Sequence, residues 1–381
     1  MRVLTVGNMY PPHHQGGYEL VWRAAVEHAR AAGHEVEVLT TDHREPGVDA
    51  PDDPGVHREL RWYWRDHVIL NPGPLGARRL ERHNRAVLDR RLDALRPDVV
   101  SWWSMGAMSM AMLEQVRRRG IPAVAFVHDD WLDYGRRTDA WHRRFGKRSV
   151  DFARAARYVF VSEETRSRAA QSGLELPDTG IAHSGIDPGF LDARAPEREW
   201  GWRLLYVGRL DERKGIGTVI EALPSLPDAS LRVVGSGNEG ERDRLLALAD
   251  SLGVAGRVDF AGPVPRASLP GEYADADAVV FPVVWSEPWG LVPLEAMAIG
   301  RPVVATGRGG SGEYLRDGEN CVLFEAGDPA SLAAAVERLA GDPSLRGRLR
   351  EAGFELAPQH TEDQLNAAVL SELEHRRASG D

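Results

Sequence analysis

Residues 277–305 read DAVVFPVVWSEPWGLVPLEAMAIGRPVVA. The first eight form an apolar, β-branched block suited to a buried strand, and WSEPWG after them supplies loop punctuation. A helix is expected to begin near Leu291, because Pro293 is tolerated in a first turn, where its missing N–H has no bond to lose. Gly300 followed by Pro302 stops that helix, and PVVA returns to a strand. The segment is therefore strand, loop, helix, strand. Backbone N–H groups around Gly290, Leu291 and Val292 fall at the positive end of the helix dipole and suit an anion. Glu295, about one turn further in, suits neutral hydroxyls such as those of a ribose. Glu287, on the loop, suits hydroxyls of a second group beyond the phosphates. Two carboxylates bracketing an anion hole describe a sugar nucleotide; the plainer reading is a solvated helix glutamate and a glycine that only makes a turn.

The same alternation runs along the whole chain and marks parallel βαβ units. In the first half the expected strands are 2–6, 36–40, 98–103, 123–127 and 158–161. In the second half they are 203–208, 231–235, 258–262, 278–281, 302–305 and 321–324. Helical patterns lie between them, among them 20–33 and 241–253. Two doubly wound sheets follow, with a boundary in HSGIDPGFLDARAPEREWG (183–201), where Gly, Pro and charges interrupt the pattern. The expected domains are 1–185 and 186–359, with a final helix in 360–381 joined to the first. A linker at the boundary would let the domains hinge over a ligand held at the carboxyl ends of the strands. Residues 44–58, REPGVDAPDDPGVHR, read as a polar loop.

Length and charge narrow the function. A chain of 381 residues exceeds one ordinary core. Its 47 basic against 57 acidic residues, a net charge of −10, argue against nucleic-acid binding, so any anion site is local. The one cysteine, Cys321, excludes an intrachain disulfide and a cysteine metal cluster. With no apolar run long enough for a signal peptide or a membrane span, a soluble, cytoplasmic protein is expected. Only Lys147 and Lys214 are lysines, so a lysine at a functional position is conspicuous.

Three further stretches carry chemistry. GNMYPPHHQGGYE (7–19) leads from the first strand into the first helix; its glycines are too widely spaced for the dinucleotide fingerprint, which weakens an NAD reading. Gly16 and Gly17 still let backbone approach a phosphate or sugar, unless they are a plain turn. RLDERKG (209–215) follows a strand, so Arg209 and Lys214 can meet a diphosphate with two cations as a nucleotide leaves; a solvated charged turn is the alternative. HDDW (128–131) follows another strand. Its side chains diverge, which disfavours a metal, and His128 reads better as a partner for a sugar hydroxyl, with Asp129 or Asp130 as a helix cap.

Taken together, GGYE (16–19), VHDD (127–130), GRLDERKG (208–215), VVGSGNE (233–239), VDFAGPV (258–264) and EPWGLVPLE (287–295) resemble the retaining GT-B glycosyltransferases of family four. The resemblance spans about residues 1–355 in order and spacing. FELAPQHTEDQLNAAVLSELEH (354–375) departs from the aromatic and acidic stretch expected near Gln359. The resemblance implies two Rossmann-like α/β domains facing across a cleft, the second holding a nucleotide-diphosphate sugar. It places Glu287 on the donor sugar, Glu295 on the ribose, and the backbone of Gly290, Leu291 and Val292 on sugar and phosphates. Arg209 and Lys214 would hold the distal phosphate, and Gly16 and Gly17 would approach it from the first domain. His128 would bind the sugar, Gly235 would belong to the donor site, and Val264 would lie against the base. It implies transfer with retention through a front-face route, with the departing phosphate taking the acceptor's proton and no divalent metal.

The acceptor is a glycan, a lipid or a small metabolite. Trp102, Trp103, MGAMSMAML (105–113) and RWYWRD (61–66) are candidates to line its groove, with core packing as the plainer reading. GRRTDAWHRRFGKR (135–148) is a candidate for peripheral contact with anionic lipid, against a solvated arginine face. Rival functions are an epimerase or phosphorylase on the same fold, and a non-catalytic sugar-nucleotide sensor. Arg209, Lys214 and Glu287 weigh against the sensor, which has less need to stabilise a leaving group.

Overall fold

A computed structural model describes residues 1–14, 16–65, 68–70, 73–138, 150–237 and 239–379. The chain forms two compact units, Met1–His183 with Gln364–Asp381, and Ser184–Asp363.

The first unit is built on a seven-stranded parallel sheet. Its order is Val56–Leu60, Glu35–Thr41, Arg2–Val6, Val99–Trp102, Ala123–Val127, Arg157–Phe160 and Thr179–Ile181. The central strands read VLTV, VVSW and AVAFV because both faces are covered, which removes any need for polar alternation. One face packs Leu4, Val6, Val100, Trp102, Met105, Met108 and Trp131. The other packs Val3, Val38, Trp103 and Phe126 beneath Val21, Trp22 and Ala25 of the helix Gly17–Ala31. Leu365, Val369 and Leu373 of the helix Glu362–Ala378 complete that second face. Arg157 donates to Glu372 at 2.6 Å and ties this helix to the strand next to the sheet edge.

The second unit carries a six-stranded parallel sheet in the order Val258–Gly262, Ser230–Val234, Arg203–Val207, Ala278–Phe281, Val303–Ala305 and Val322–Leu323. Leu204, Tyr206, Ile216, Val219, Val233, Val280 and Leu332 fill its core. The opening segment folds as its sequence predicts. Ala278–Phe281 is a strand, Val292–Ile299 a helix, and Gly300 ends it at φ 84°, the left-handed conformation that glycine adopts without strain.

Four strands escape the sequence reading: the two-stranded pair Trp64–Arg65 and Val68–Ile69, and both edges of the seven-stranded sheet. Val56–Leu60 (VHREL) lies at one edge, starting inside the stretch read as a loop, and Thr179–Ile181 lies at the other. Edge strands are short and half-solvated, so neither carries an apolar signature. Among the described residues no helix is long and apolar enough to cross a membrane.

Candidate functional site

In the second sheet the strand order reverses between Arg203–Val207 and Ala278–Phe281. Open α/β sheets gather ligand groups at such a switch point, outside the carboxyl ends of the strands. RLDERKG and WSEPWG are the loops that leave those two strands. Asp211 accepts from the backbone N–H of Arg213 at 3.0 Å and starts the turn Glu212–Lys214. Gly215 follows at φ 72°, where an added Cβ would lie 2.0 Å from the Pro282 carbonyl oxygen. The two loops are thus packed backbone against backbone, and the contact delivers Lys214 to Glu287.

Lys214 Nζ donates to Glu287 Oε2 at 2.7 Å, and Trp285 Nε1 donates to the same oxygen at 2.8 Å. Both charged side chains are largely buried. The backbone of Glu287 is fixed from its other side. Its carbonyl accepts from Gly310 N–H at 2.7 Å, and a Cβ on Gly309 would fall 2.2 Å from that oxygen. The glycine run in GRGGSGE (307–313), directly after a strand, is the signal from which this support could have been read.

Gly290 adopts φ 91°, and a Cβ there would meet the Phe281 ring at 2.8 Å. Its carbonyl accepts from the Tyr314 hydroxyl. The Tyr314 phenol is held well above its ordinary value, first by burial and then by nearby Glu287 and Glu295. Both carboxylates therefore lie within electrostatic reach of the residue that pins Gly290, which brings together three groups singled out in the sequence. Leu291 caps the helix and Val292 opens it, so their N–H groups belong to the first turn that an α-helix leaves without internal partners. Glu295 accepts from the buried Tyr273 hydroxyl, and desolvation raises its carboxyl above the usual range.

Arg209 sits 3.6 Å from Asp211, and its carbonyl accepts from Tyr206 at 2.8 Å. Gly235, at φ 141°, lies so close to Gly208 that a Cβ would fall 1.9 Å from the Gly208 carbonyl oxygen. Loop packing alone therefore requires glycine at 235. Val264 is half-buried in the loop after Val258–Gly262. Trp285, Tyr273 and Tyr314 went unnoticed in the sequence because isolated aromatic residues carry no spacing signal.

In the first unit the order reverses between Arg2–Val6 and Val99–Trp102, and the loops beyond them are wired together. Asn8 Nδ2 donates to Ser104 Oγ at 3.1 Å, and Ser104 Oγ donates to Asp129 Oδ2 at 3.1 Å. Asp129 Oδ1 accepts from Trp131 N–H at 2.9 Å, the capping expected of it, while Asp130 turns away to Arg168 at 2.6 Å. Burial pushes the Asp129 carboxyl up to about 7. His128 is buried, with its ring stacked on Tyr18 at 5.1 Å and tilted against Trp103 at 5.7 Å. Burial holds its imidazole down to about 3, so it is neutral at physiological pH. Gly16 N–H donates to Glu19 Oε2 at 3.0 Å and caps the helix that begins at Gly17. A Cβ on Gly17 would meet nothing within 4 Å among the described residues, so packing does not explain that glycine.

The proposed acceptor-lining residues divide. Trp102, Trp103, Met105, Met108, Met110 and Met112 are buried and serve the core. Trp62 and Trp64 stack at 4.9 Å and are only half-buried. Asp66, at the end of RWYWRD, lies outside the described residues, as do residues 139–148 of the basic stretch, Lys147 included. Among the described residues no group of three His, Cys, Asp or Glu side chains converges as metal ligands would.

Two parallel sheets with Rossmann-like topology, the second presenting a lysine, two glutamates and a helix N-terminus beside its switch point, give the chain the architecture of the GT-B fold. Residues 15–190 match Glycosyltransferase Family 4 and residues 191–356 match Glycosyl transferases group 1. A GDP-mannose-dependent alpha-(1-6)-phosphatidylinositol monomannoside mannosyltransferase of Mycolicibacterium smegmatis is 30% identical over 97% of both chains. The lipopolysaccharide core biosynthesis glycosyltransferase LpsE of Rhizobium meliloti is 42% identical over 45% of this chain, a match that spans about half (49%) of LpsE. HepE of Anabaena, solved with UDP-glucose, superposes with a TM-score of 0.73 at 19% identity, over 98% of this chain and 100% of HepE. The chain belongs to the family-four, group 1 glycosyltransferases, enzymes that transfer a sugar from a nucleotide-diphosphate sugar.

Proposed function

We propose that this chain is a retaining hexosyltransferase whose donor is held, without a divalent metal, by the groups around Glu287. The ion pair of Lys214 and Glu287, 2.7 Å apart and shared with Trp285, carries the reading. It presents a cation for the departing phosphate beside a carboxylate for the sugar hydroxyls, on two loops that glycine contacts hold rigid. Arg209 and Lys214 meet the charge that grows on the diphosphate as the C1–O bond breaks, where fixed cations stabilise a transition state more than a ground state. The acceptor oxygen bonds to C1 on the same face, and its proton passes to the leaving phosphate oxygen. That route needs no protein nucleophile, and the anomeric configuration is kept. His128, neutral at physiological pH, serves as a hydrogen-bond partner for the sugar and not as a general acid. Glu295, oriented by Tyr273, takes the ribose. Gly16 and Gly17 leave room for a phosphate, Val264 flanks the base, and Gly290, Leu291 and Val292 offer backbone N–H groups.

The donor's nucleoside is uridine or guanosine: one relative is named for GDP-mannose, and HepE was solved with UDP-glucose. The acceptor is a hydroxyl of a glycan, a lipid or a small metabolite. Calorimetric titration of UDP, GDP and ADP in EDTA, into wild type and Lys214→Ala, tests the reading. One nucleotide should bind, and the substitution should weaken it by about 1.5 to 3 kcal/mol, or roughly 10- to 150-fold in Kd. Binding that is abolished by EDTA, or indifferent to Lys214, would overturn the metal-free diphosphate site. Proton NMR of the product's anomeric signal tests retention.

A further inference from the structure

We propose that the second unit carries another anion site, a cavity at the amino ends of the strands Ala278–Phe281 and Val303–Ala305 that takes a phosphoryl group. The cavity has a volume of about 230 Å³ and is lined by Arg198, Arg301, Arg346 and Arg350 against only Glu197 and Asp277. It is smaller than the roughly 300 to 1,000 Å³ of sites for drug-sized ligands, and so suits a small ion or a phosphorylated metabolite.

The two carboxylates do not neutralise the four arginines. Asp277 pairs with one of the four, accepting from Arg198 Nε at 3.1 Å, and is shared with Arg203 outside the lining, accepting from its Nη2 at 3.0 Å and from the backbone N–H groups of Gly201 and Arg203 at 3.1 and 2.9 Å. Glu197 pairs with Arg350 at 2.9 Å, but its side chain is 86% exposed and largely screened by solvent. Among the described residues no carboxylate lies within 4.0 Å of Arg301 or Arg346. Arg301 is 7% exposed and donates only to the carbonyls of Pro196 and Ala274. Arg346 donates to the carbonyls of Leu339 and Ala340, and its guanidinium lies 5.3 Å from the Trp200 ring.

Two donors in this lining are buried without a partner, Arg301 Nε and Trp200 Nε1. Buried polar atoms are nearly always satisfied, so each orphan donor calls for an explanation. Here both orphans are N–H donors, and both belong to a lining with surplus positive charge. The complement is a group with several acceptor oxygens and two negative charges, the chemistry for which arginine clusters are suited. Burial, reinforced by Arg198 and Arg350, pushes the Arg301 guanidinium down to about 10, as expected of a cation short of counter-charge. The site is separate from the one at Glu287, because it lies at the opposite ends of the same strands.

Calorimetric titration of inorganic phosphate and of ribose 5-phosphate, in chloride buffer and in the Lys214→Ala background, weakens the contribution of the donor site, and the cavity variants then report on this cavity. One equivalent of at least one probe should bind. Adding Arg346→Gln should weaken it about tenfold and Trp200→Phe about threefold, with thermal unfolding confirming that each variant folds. Binding of inorganic phosphate alone would identify an ion site, and tighter binding of ribose 5-phosphate a metabolite site; either supports the proposal. No binding of either probe, or binding unchanged in Arg346→Gln and Trp200→Phe, would overturn it.

Discussion

Replacing Asp129 by asparagine should change how the stability of the first unit depends on pH. The Asp129 carboxyl sits at about 7 against an ordinary 3.8, because burial disfavours its charged form. A carboxyl raised in this way keeps a proton that the unfolded chain has already released. Its contribution to stability is therefore complete below about pH 4 and is lost as pH rises through 7. The span is about 3 pH units, which at about 1.4 kcal/mol per unit amounts to at most about 4 kcal/mol. His128 works in the opposite direction. Its imidazole, held at about 3, lacks a proton that the unfolded chain takes up below about 6.5, so stability falls as pH drops from 6.5 towards 3. In the wild type these two slopes oppose each other between about pH 4 and pH 6.5; Asp129→Asn removes one of them. Asparagine keeps an oxygen for the Trp131 N–H, so the variant should gain stability relative to wild type, by up to about 3 kcal/mol, as pH rises from about 4.5 to about 8. Urea unfolding at both pH values, followed by tryptophan fluorescence, measures this. A variant-minus-wild-type difference that is the same at both ends would refute the buried, protonated carboxyl.

Other substitutions test the loops. Gly215→Ala, at φ 72° and with its Cβ 2.0 Å from the Pro282 carbonyl oxygen, should cost roughly 2 to 4 kcal/mol in thermal or chemical unfolding. Gly17→Ala should leave stability unchanged or raise it by about 0.5 to 1 kcal/mol, since helix propensity improves and the space is open; the KM for the donor should nevertheless rise, because a phosphate would lose its close approach. Tyr273→Phe should weaken nucleotide binding about threefold to tenfold by freeing Glu295, with kcat little changed; steady-state kinetics separates the two.

How far the site could be read from sequence depended on the kind of feature. The strand and helix around Glu287 were legible because β-branched runs, Pro293 and Gly300 each act locally, and the structure places all three as their chemistry requires. Lys214 stood out through composition, as one of two lysines among 47 basic residues. That Lys214 meets Glu287 was not legible, since the two are 73 positions apart and the contact depends on sheet order. Trp102 and Trp103 left two readings open for a related reason, and the structure bears out the plainer one, core packing. An aromatic pair looks the same in sequence whether it lines a groove or fills a core, and only burial on both faces of the sheet decides. Gly235, read as a ligand contact, has a sufficient packing explanation in its approach to Gly208.

The helix Glu362–Ala378 has a consequence for biosynthesis. Leu365, Val369 and Leu373 belong to the same apolar cluster as Val3, Val36 and Trp22, yet a ribosome delivers them only after the whole of the second unit has been made. Until then the part of that face not covered by the helix Gly17–Ala31 is an open apolar surface. The second unit, continuous in sequence, can mature first, while the first unit waits for its last covering. A chain released before residue 364 would carry a finished second unit attached to an unfinished first one, and would be prone to aggregate through that face.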